Sequence, residues 1–230
     1  MENTILSYLE ICQIERINLQ KGMNYGIGNG YSIILMSVRA GAPYDDRFED
    51  GGKVLIYEGH DEYKSKNNYD PKKMNQPEFF PSGKLTENGK FHKAAQDYKN
   101  GIRKPEVVKV YEKIRSGIWS YDGLFLLVDS WKSRINKRTV FKFKLIPTVE
   151  NNVEINHNVG HDYHQSRIIP TSVKLEVWKR DKGKCVICGS KTELHFDHII
   201  PWSMGGTSIK AENIQLLCAR HNLAKHNNIE

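Results

Sequence analysis

A chain of 230 residues, 39% hydrophobic and 27% charged, is long enough for one large or two modest domains, each with its own core. Its longest apolar run, Gly123 to Val128, is far short of the roughly 20 residues of a membrane span. The opening stretch MENTILSYLEICQIERIN scatters acids among its apolar positions, unlike a secretory signal, so the chain reads as cytoplasmic. With 34 Lys and Arg against 27 Asp and Glu, the net charge of +7 favours a polyanionic partner without specifying one.

In chain order, Tyr31 to Val38, Lys53 to Tyr57, Gly123 to Trp131 and Thr139 to Ile146 are short apolar or alternating runs bounded by Gly, Pro and Asn, the pattern of strands. Asn88 to Lys99 has helical spacing, and the polar stretch His60 to Lys84 reads as loop. Residues 1–147 are therefore expected to form a β-rich α+β domain, a curved sheet or partial barrel with flanking helices. Residues 148–170 (TVENNVEINHNVGHDYHQSRIIP) sustain neither periodicity and read as a linker, its length setting the reach between the lobes. The second lobe, 171–230, opens on an amphipathic helix, Ser172 to Asp181, with Ser172 or Thr171 as candidate cap. Both lobes are basic, with 24 cations against 18 acids in the first and 9 against 6 in the second.

Of the four cysteines, Cys12 stands alone and three lie in the second lobe. Cys185 and Cys188 form one pair with a two-residue gap, and Cys218 with His221 repeats that gap after 29 intervening residues. Two such pairs of soft ligands can close a tetrahedral structural Zn²⁺ site. A lobe of this size has little core of its own, so a metal staple is physically expected.

Between the two pairs run His195-Phe-Asp197-His198-Ile-Ile-Pro201, then Gly205-Gly206 and Asn213, with Asn222 directly after His221. This stretch resembles the zinc-knuckle branch of the HNH, or ββα-metal, endonucleases, and the likeness covers essentially residues 172–228. It implies a metal-dependent phosphodiester hydrolase with His198 as general base, since imidazole exchanges protons near neutrality. Regular alternation points Asp197 to the opposite side of the strand from His198. The resemblance, not the alternation, assigns Asp197 and Asn222 to a catalytic metal, for which oxygen donors suit Mg²⁺ or Mn²⁺. It also implies that Asn213 orients His198 through a backbone or imidazole hydrogen bond. Lys225, one turn after Asn222, is a candidate phosphate contact or a solvated side chain. The fourth zinc position is His221 where the commoner pattern has Cys, and His195 and His226 are expected to be ordinary surface or strand-face histidines.

In the first lobe, Tyr31 to Val38, Gly41-Ala-Pro-Tyr44-Asp45-Asp46, Val54-Leu-Ile-Tyr57-Glu58-Gly59-His60-Asp61 and Tyr121-Asp122-Gly123-Leu124-Phe125 with Trp131 are together similar to the SRA (YDG) domains, over roughly residues 22–147. The resemblance implies a concave β-structure that flips 5-methylcytosine or 5-hydroxymethylcytosine out of double-stranded DNA. Tyr44 and Tyr57 would be its stacking walls and Asp46 its edge reader, with Asp45 as a substitute for Asp46. Tyr121-Asp122-Gly123 reads as structural, a turn and strand start in which Asp122 caps backbone donors and Gly123 takes an unusual dihedral. Lys90, Lys93 and Arg103 are candidate phosphate contacts or a solvated face.

Together the two resemblances imply a modification-dependent, type IV-like restriction endonuclease. An HNH centre handles one strand, so a double-strand break needs two copies or two binding events, and a homodimer is one expectation. The competing expectations are an HNH nuclease whose first lobe reads another modification or none, and a non-catalytic reader of modified DNA.

Overall fold

The structure is a computed structural model and describes residues 2–27, 30–62, 70–148 and 167–225. Chain order gives β1 (Ile5–Leu6), α1 (Tyr8–Glu15), β2 (Met23–Ile27), β3 (Tyr31–Met36), β4 (Arg47–Glu49), β5 (Val54–Glu58), α2 (Glu87–Lys99), β6 (Glu106–Arg115), β7 (Ile118–Ile135), β8 (Arg138–Pro147), α3 (Thr171–Arg180), β9 (Leu194–His198), β10 (Ile214–Cys218) and α4 (Ala219–Lys225). Most of the expected linker, residues 149–166, and His226 lie outside the described residues. Among the described residues no helix is long and apolar enough to cross a membrane.

The first lobe is an eight-stranded sheet in the order β2-β3-β6-β7-β8-β5-β4, with β1 added along β7. β3 and β6 are parallel, and the other pairs are antiparallel. Adjacent residues on a strand face opposite sides, and β3 shows the consequence. Ile34 joins the core beneath α2, where Phe91, Ala94 and Ala95 meet Phe125, Phe141 and Phe143. Its neighbour Ile33 packs on the other side with Ile11 of α1, Leu19 and Tyr111.

The strands and helix α2 that the sequence suggests are all present, with bounds shifted by a few residues. Five elements of the first lobe are additional: β1, α1, β2, β4 and β6. α1 is fixed by a capping box, in which Ser7 Oγ accepts the Glu10 amide at 3.2 Å while Glu10 Oε2 accepts the Ser7 amide at 2.7 Å. The expected cap of α3 is not what forms. Pro170 takes the N-cap position with no side-chain cap, and Thr171 spends its hydroxyl on Glu112 of β6.

Tyr121-Asp122-Gly123 is not a turn. Val110 of β6 pairs with Gly123 and Tyr111 pairs with Tyr121, so Asp122 is the extra residue of a β-bulge inside β7. Gly123 does take the unusual dihedral, φ +101°. The bulge leaves the Asp122 carboxylate buried and directed at Lys174 of α3 instead of capping backbone donors.

The second lobe is small. α3 packs Val173 and Val177 against Phe196, Ile214 and Leu216 of the β9–β10 hairpin, and α4 lies across the same two strands.

Phe91 is fully buried at the centre of the sheet–α2 core, in edge contact with Tyr25 and Phe143. Phe91→Ala should lower stability by about 3–5 kcal/mol, measured as a fall in the urea midpoint followed by tryptophan fluorescence.

Candidate active site

Two elements bring the soft ligands together. After α3 the chain folds into a knuckle in which Cys185 N–H donates to Ser190 O and Gly189 N–H donates back to Cys185 O, both at 2.8 Å. β10 ends on Cys218, and the first turn of α4 carries His221. The four ligand atoms of Cys185, Cys188, Cys218 and His221 all lie within 4.8 Å of one another. Cys188 Sγ is 3.8 Å from Cys218 Sγ, and His221 Nδ1 is 3.4 Å from Cys185 Sγ and 3.3 Å from Cys218 Sγ. A tetrahedron with Zn–S bonds of about 2.3 Å has S–S edges of about 3.8 Å, so the donor set fits a structural Zn²⁺ ion. Burial alone would raise the Cys185 thiol, but backbone donors at Cys188, Cys218 and Ile187, together with His221, bring it down to about 6, toward the thiolate a metal needs.

β9 carries Asp197 and His198. His198 is buried, with Nε2 2.9 Å from Ser208 Oγ, and burial holds its imidazole down to about 4. Asn213 does not spend its side chain on the His198 ring. Its Oδ1 accepts the Ile200 amide at 2.8 Å, and its Nδ2 donates to Ile200 O and Thr207 O at 3.2 and 3.0 Å. Its own carbonyl accepts the Ile199 amide at 2.7 Å, so Asn213 fastens the loop that leaves His198. Gly206 belongs to that loop because a Cβ there would collide with the Ile200 carbonyl.

Asp197 Oδ2 accepts from Gln215 Nε2 at 3.2 Å, directly across the hairpin, and from Lys225 Nζ at 3.0 Å. Lys225 is therefore neither solvated nor reaching outward: it is 1% exposed, and its ammonium also donates to His198 O at 2.6 Å. Asn222 lies on α4, one turn before Lys225. His195 is a buried strand residue, Nδ1 3.2 Å from Thr4 Oγ1.

In the first lobe a cavity of about 620 Å³ is lined by Tyr44, His60, Lys21, Lys72, Phe79 and Phe80 among others. The Tyr44 and His60 rings stack at 4.7 Å and 5°, and Lys72 Nζ stands 4.1 Å from the Tyr44 centroid. Of the three residues assigned to a base pocket by resemblance, only Tyr44 lines this cavity. Tyr57 is fully buried, its hydroxyl 2.8 Å from His60 Nε2. Asp46 accepts the Ser37 and Glu58 amides at 3.2 and 3.0 Å, and burial, opposed by those two bonds, leaves its carboxyl raised to about 7. It borders a different groove, beside Arg47 and Pro170. Asp45, its substitute, pairs with Arg47 and Lys142. Lys90, Lys93 and Arg103 are each in an ion pair, with Glu87, Asp97 and Glu106.

Ser208, Gln215 and His60 escape the sequence reading. Cross-strand register would have found Gln215. His60 sits inside the Tyr57-Glu58-Gly59-His60-Asp61 run but only the fold brings it against Tyr44, and nothing local marks Ser208.

Replacing Cys185 by Ala removes a ligand that also belongs to the cluster of Leu194, Leu217 and Cys218. We expect the bound zinc, read by a colorimetric chelator, to fall from one equivalent to none, with loss of the second lobe's folded signal.

Residues 185–228 match the family model described as HNH endonuclease. No curated protein matches the chain. Among solved structures, the SRA domain of SUVH5 with methylated CHH DNA aligns at TM-score 0.43 and 22% identity, over 62% of this chain and 83% of that one. KRYPTONITE with mCHH DNA, an H3 peptide and SAH aligns at 0.42 and 16%, over 69% and 34%. ScoMcrA, a Type IV phosphorothioation-dependent restriction endonuclease, aligns at 0.40 and 13%, over 99% of this chain and 55% of that one. The family match takes in the whole run from the Cys3His knuckle through the hairpin it braces to α4, so from Cys185 onward the chain carries an HNH endonuclease domain and is a nuclease.

Proposed function

We propose that this chain is a modification-dependent restriction endonuclease: an SRA-like lobe, residues 1–147, receives a flipped 5-methylcytosine or 5-hydroxymethylcytosine, and the HNH lobe, 171–230, hydrolyses the DNA. The observation that carries this reading is the pairing, in one chain, of an HNH endonuclease domain with an aromatic cavity edged by Lys21 and Lys72. Its volume is in the range of small-ligand pockets, roughly 300–1,000 Å³. Tyr44 supplies the stacking face. Its ring already carries His60 and the Lys72 ammonium, so a base that stacks there displaces one of them. Tyr57 and Asp46 act from behind the wall, Tyr57 by holding the His60 ring and Asp46 by tying Ser37 to Glu58.

In the nuclease lobe Ser208 engages Nε2 of His198, which leaves Nδ1 to take a proton from the attacking water. Asn213 fixes the loop behind that ring. Lys225 and Gln215 hold Asp197 by Oδ2, leaving Oδ1 as the donor that would join Asn222 in holding Mg²⁺ or Mn²⁺. When bound, such an ion supplies positive charge against the developing charge on phosphate and leaving oxygen. Two strands require two cleavage events, met by a homodimer or by successive binding.

The deciding experiment is cleavage of one duplex sequence carrying cytosine, methylcytosine, hydroxymethylcytosine or glucosylated hydroxymethylcytosine, with Mg²⁺ or Mn²⁺ and an EDTA control. Cutting confined to a modified duplex and abolished by EDTA is the expected result, whereas metal-dependent cutting of all four alike removes the modified-base reader.

His198 predicts the pH dependence. Burial lowers its pKa from the free value near 6.5 to about 4, so the ring stays neutral, and competent as a base, as pH falls through 6.5. The acid limb of kcat/KM should lie below about pH 5, and His198→Ala should cost about 100-fold or more in rate with zinc retained. A limb at 6.5 would contradict the assignment.

A further inference from the structure

The two lobes meet through a buried ion cluster. Lys174 of α3 is fully buried, with Nζ 2.8 Å from Glu112 Oε2 on β6 and 2.6 Å from Asp122 Oδ1 on the β7 bulge. Thr171, at the start of the same helix, donates its hydroxyl to the other oxygen of Glu112. A lysine out of reach of water stays charged only against carboxylates. Undocking α3 would leave Glu112 and Asp122, both in the sheet, without their cation.

A second, separate joint is the segment 2–6. On one side it pairs with the sheet: Asn3 N–H donates to Tyr121 O at 2.6 Å, Tyr121 N–H donates to Thr4 O at 2.9 Å, and β1 continues along β7 at Ile5 and Leu6. On the other it pairs with the nuclease hairpin, where Phe196 N–H donates to Asn3 O at 3.1 Å and Thr4 bridges His195. Ile5 packs into both apolar clusters of the second lobe, while Leu6 packs beside α1. Two sheets that share one strand, and are pinned by a buried cation a short way off, do not pivot freely.

We infer that Lys174 and the segment 2–6 lock the nuclease lobe onto the sheet as one rigid body, so that docking, not the length of residues 149–166, fixes the distance between the bound base and the cut bond. Lys174 is thus a positioning residue that touches neither base nor phosphate. This reverses the expectation that the connecting segment sets the reach, and it rests on the reading of the chain as a modified-base-directed nuclease.

The test maps cut positions at nucleotide resolution on a duplex with a single modified cytosine, using the full chain. Inserting about ten Gly and Ser residues between 149 and 166 would raise the r.m.s. span of a free tether from about 23 Å to about 29 Å and its fully extended reach by about 33 Å, so a tethered lobe would spread its cuts over several further base-pair steps. With the lobes docked rigidly, the parent's offset stays unchanged by the insertion. Lys174→Met should instead spread the cuts over several phosphates while modified-duplex affinity and total hydrolysis stay within about twofold of the parent, and Lys174→Arg should recover the narrow pattern in part. An offset that moves or broadens with the insertion, or a Lys174→Met pattern as narrow as the parent's, overturns it. A parallel distance distribution between one spin label on α2 and one on α4 needs no cleavage. It is expected to be narrow in the parent and in the insertion variant. A narrow distribution in a protein that fails to cut modified DNA would sink the proposed function and leave the lock standing, and a broad one in the parent would sink the lock alone.

Discussion

A cation excluded from water needs its counter-charges in place, and the joint at Lys174 is built around that constraint. Removing one partner of a buried ion pair costs about 3–5 kcal/mol because the remaining charge is left buried and unpaired, so the docked position of α3 on β6 and β7 is specified by charge as well as by apolar contact. The cluster has two carboxylates for one ammonium. Burial raises Asp122 to about 7 against the pull of Lys174, so near neutral pH the site does not have to hold two full negative charges. The β-bulge makes this possible, because an ordinary β7 would have kept Asp122 in register with a residue of β6. Gly123 is the conformational counterpart of that extra residue, and Glu2 sits where a Cβ at Gly123 would be. The Tyr121-Asp122-Gly123 run therefore serves the seam between the lobes.

The second lobe repeats the device in miniature. Its apolar core is a handful of residues, mostly from α3 and one hairpin, too little to fix side chains to fractions of an ångström without further ties. The Cys3His cluster ties the knuckle to β10 and α4. Lys225 then ties α4 to β9 by bonding Asp197 and the His198 carbonyl together. A side chain that reads on sequence as a phosphate contact or a solvated lysine is an internal brace, and one ammonium holds both the Asp197 carboxylate and the His198 carbonyl on β9.

What was legible in the sequence divides along physical lines. The Cys185, Cys188, Cys218 and His221 cluster was legible because two-residue gaps are local geometry, and a tight turn or a helical turn delivers both ligands to one ion. α2 and the β7–β8 hairpin were legible because their periodicities run long. α1 was hidden by acids at otherwise apolar spacing, although Ser7 and Glu10 carry the capping-box signature, and β6 by the charged residues interspersed along Glu106–Arg115. Lys174 and Lys225 were not legible as buried at all. A lysine is buried only when the fold brings carboxylates to it, and Glu112 and Asp122 come from strands more than fifty residues away.

The cavity carries the same lesson for ligand recognition. Tyr57 and Asp46 belong to the runs that resemble SRA domains, yet the first is sealed in the core and the second binds two backbone amides. Their identities hold the frame. Under the proposed function, the surface a base would meet joins Tyr44, His60 and Asp61, which lie in those runs, to Lys21, Lys72, Phe79 and Phe80, which do not. The frame of the lobe and the wall of its cavity are thus drawn largely from different stretches of the chain. Phe79 and Phe80 are half-exposed on loop backbone and Lys72 is held by Asp61 and the Pro43 carbonyl, so the groups that would discriminate one modification from another stand on the part of the lobe least constrained by the sheet.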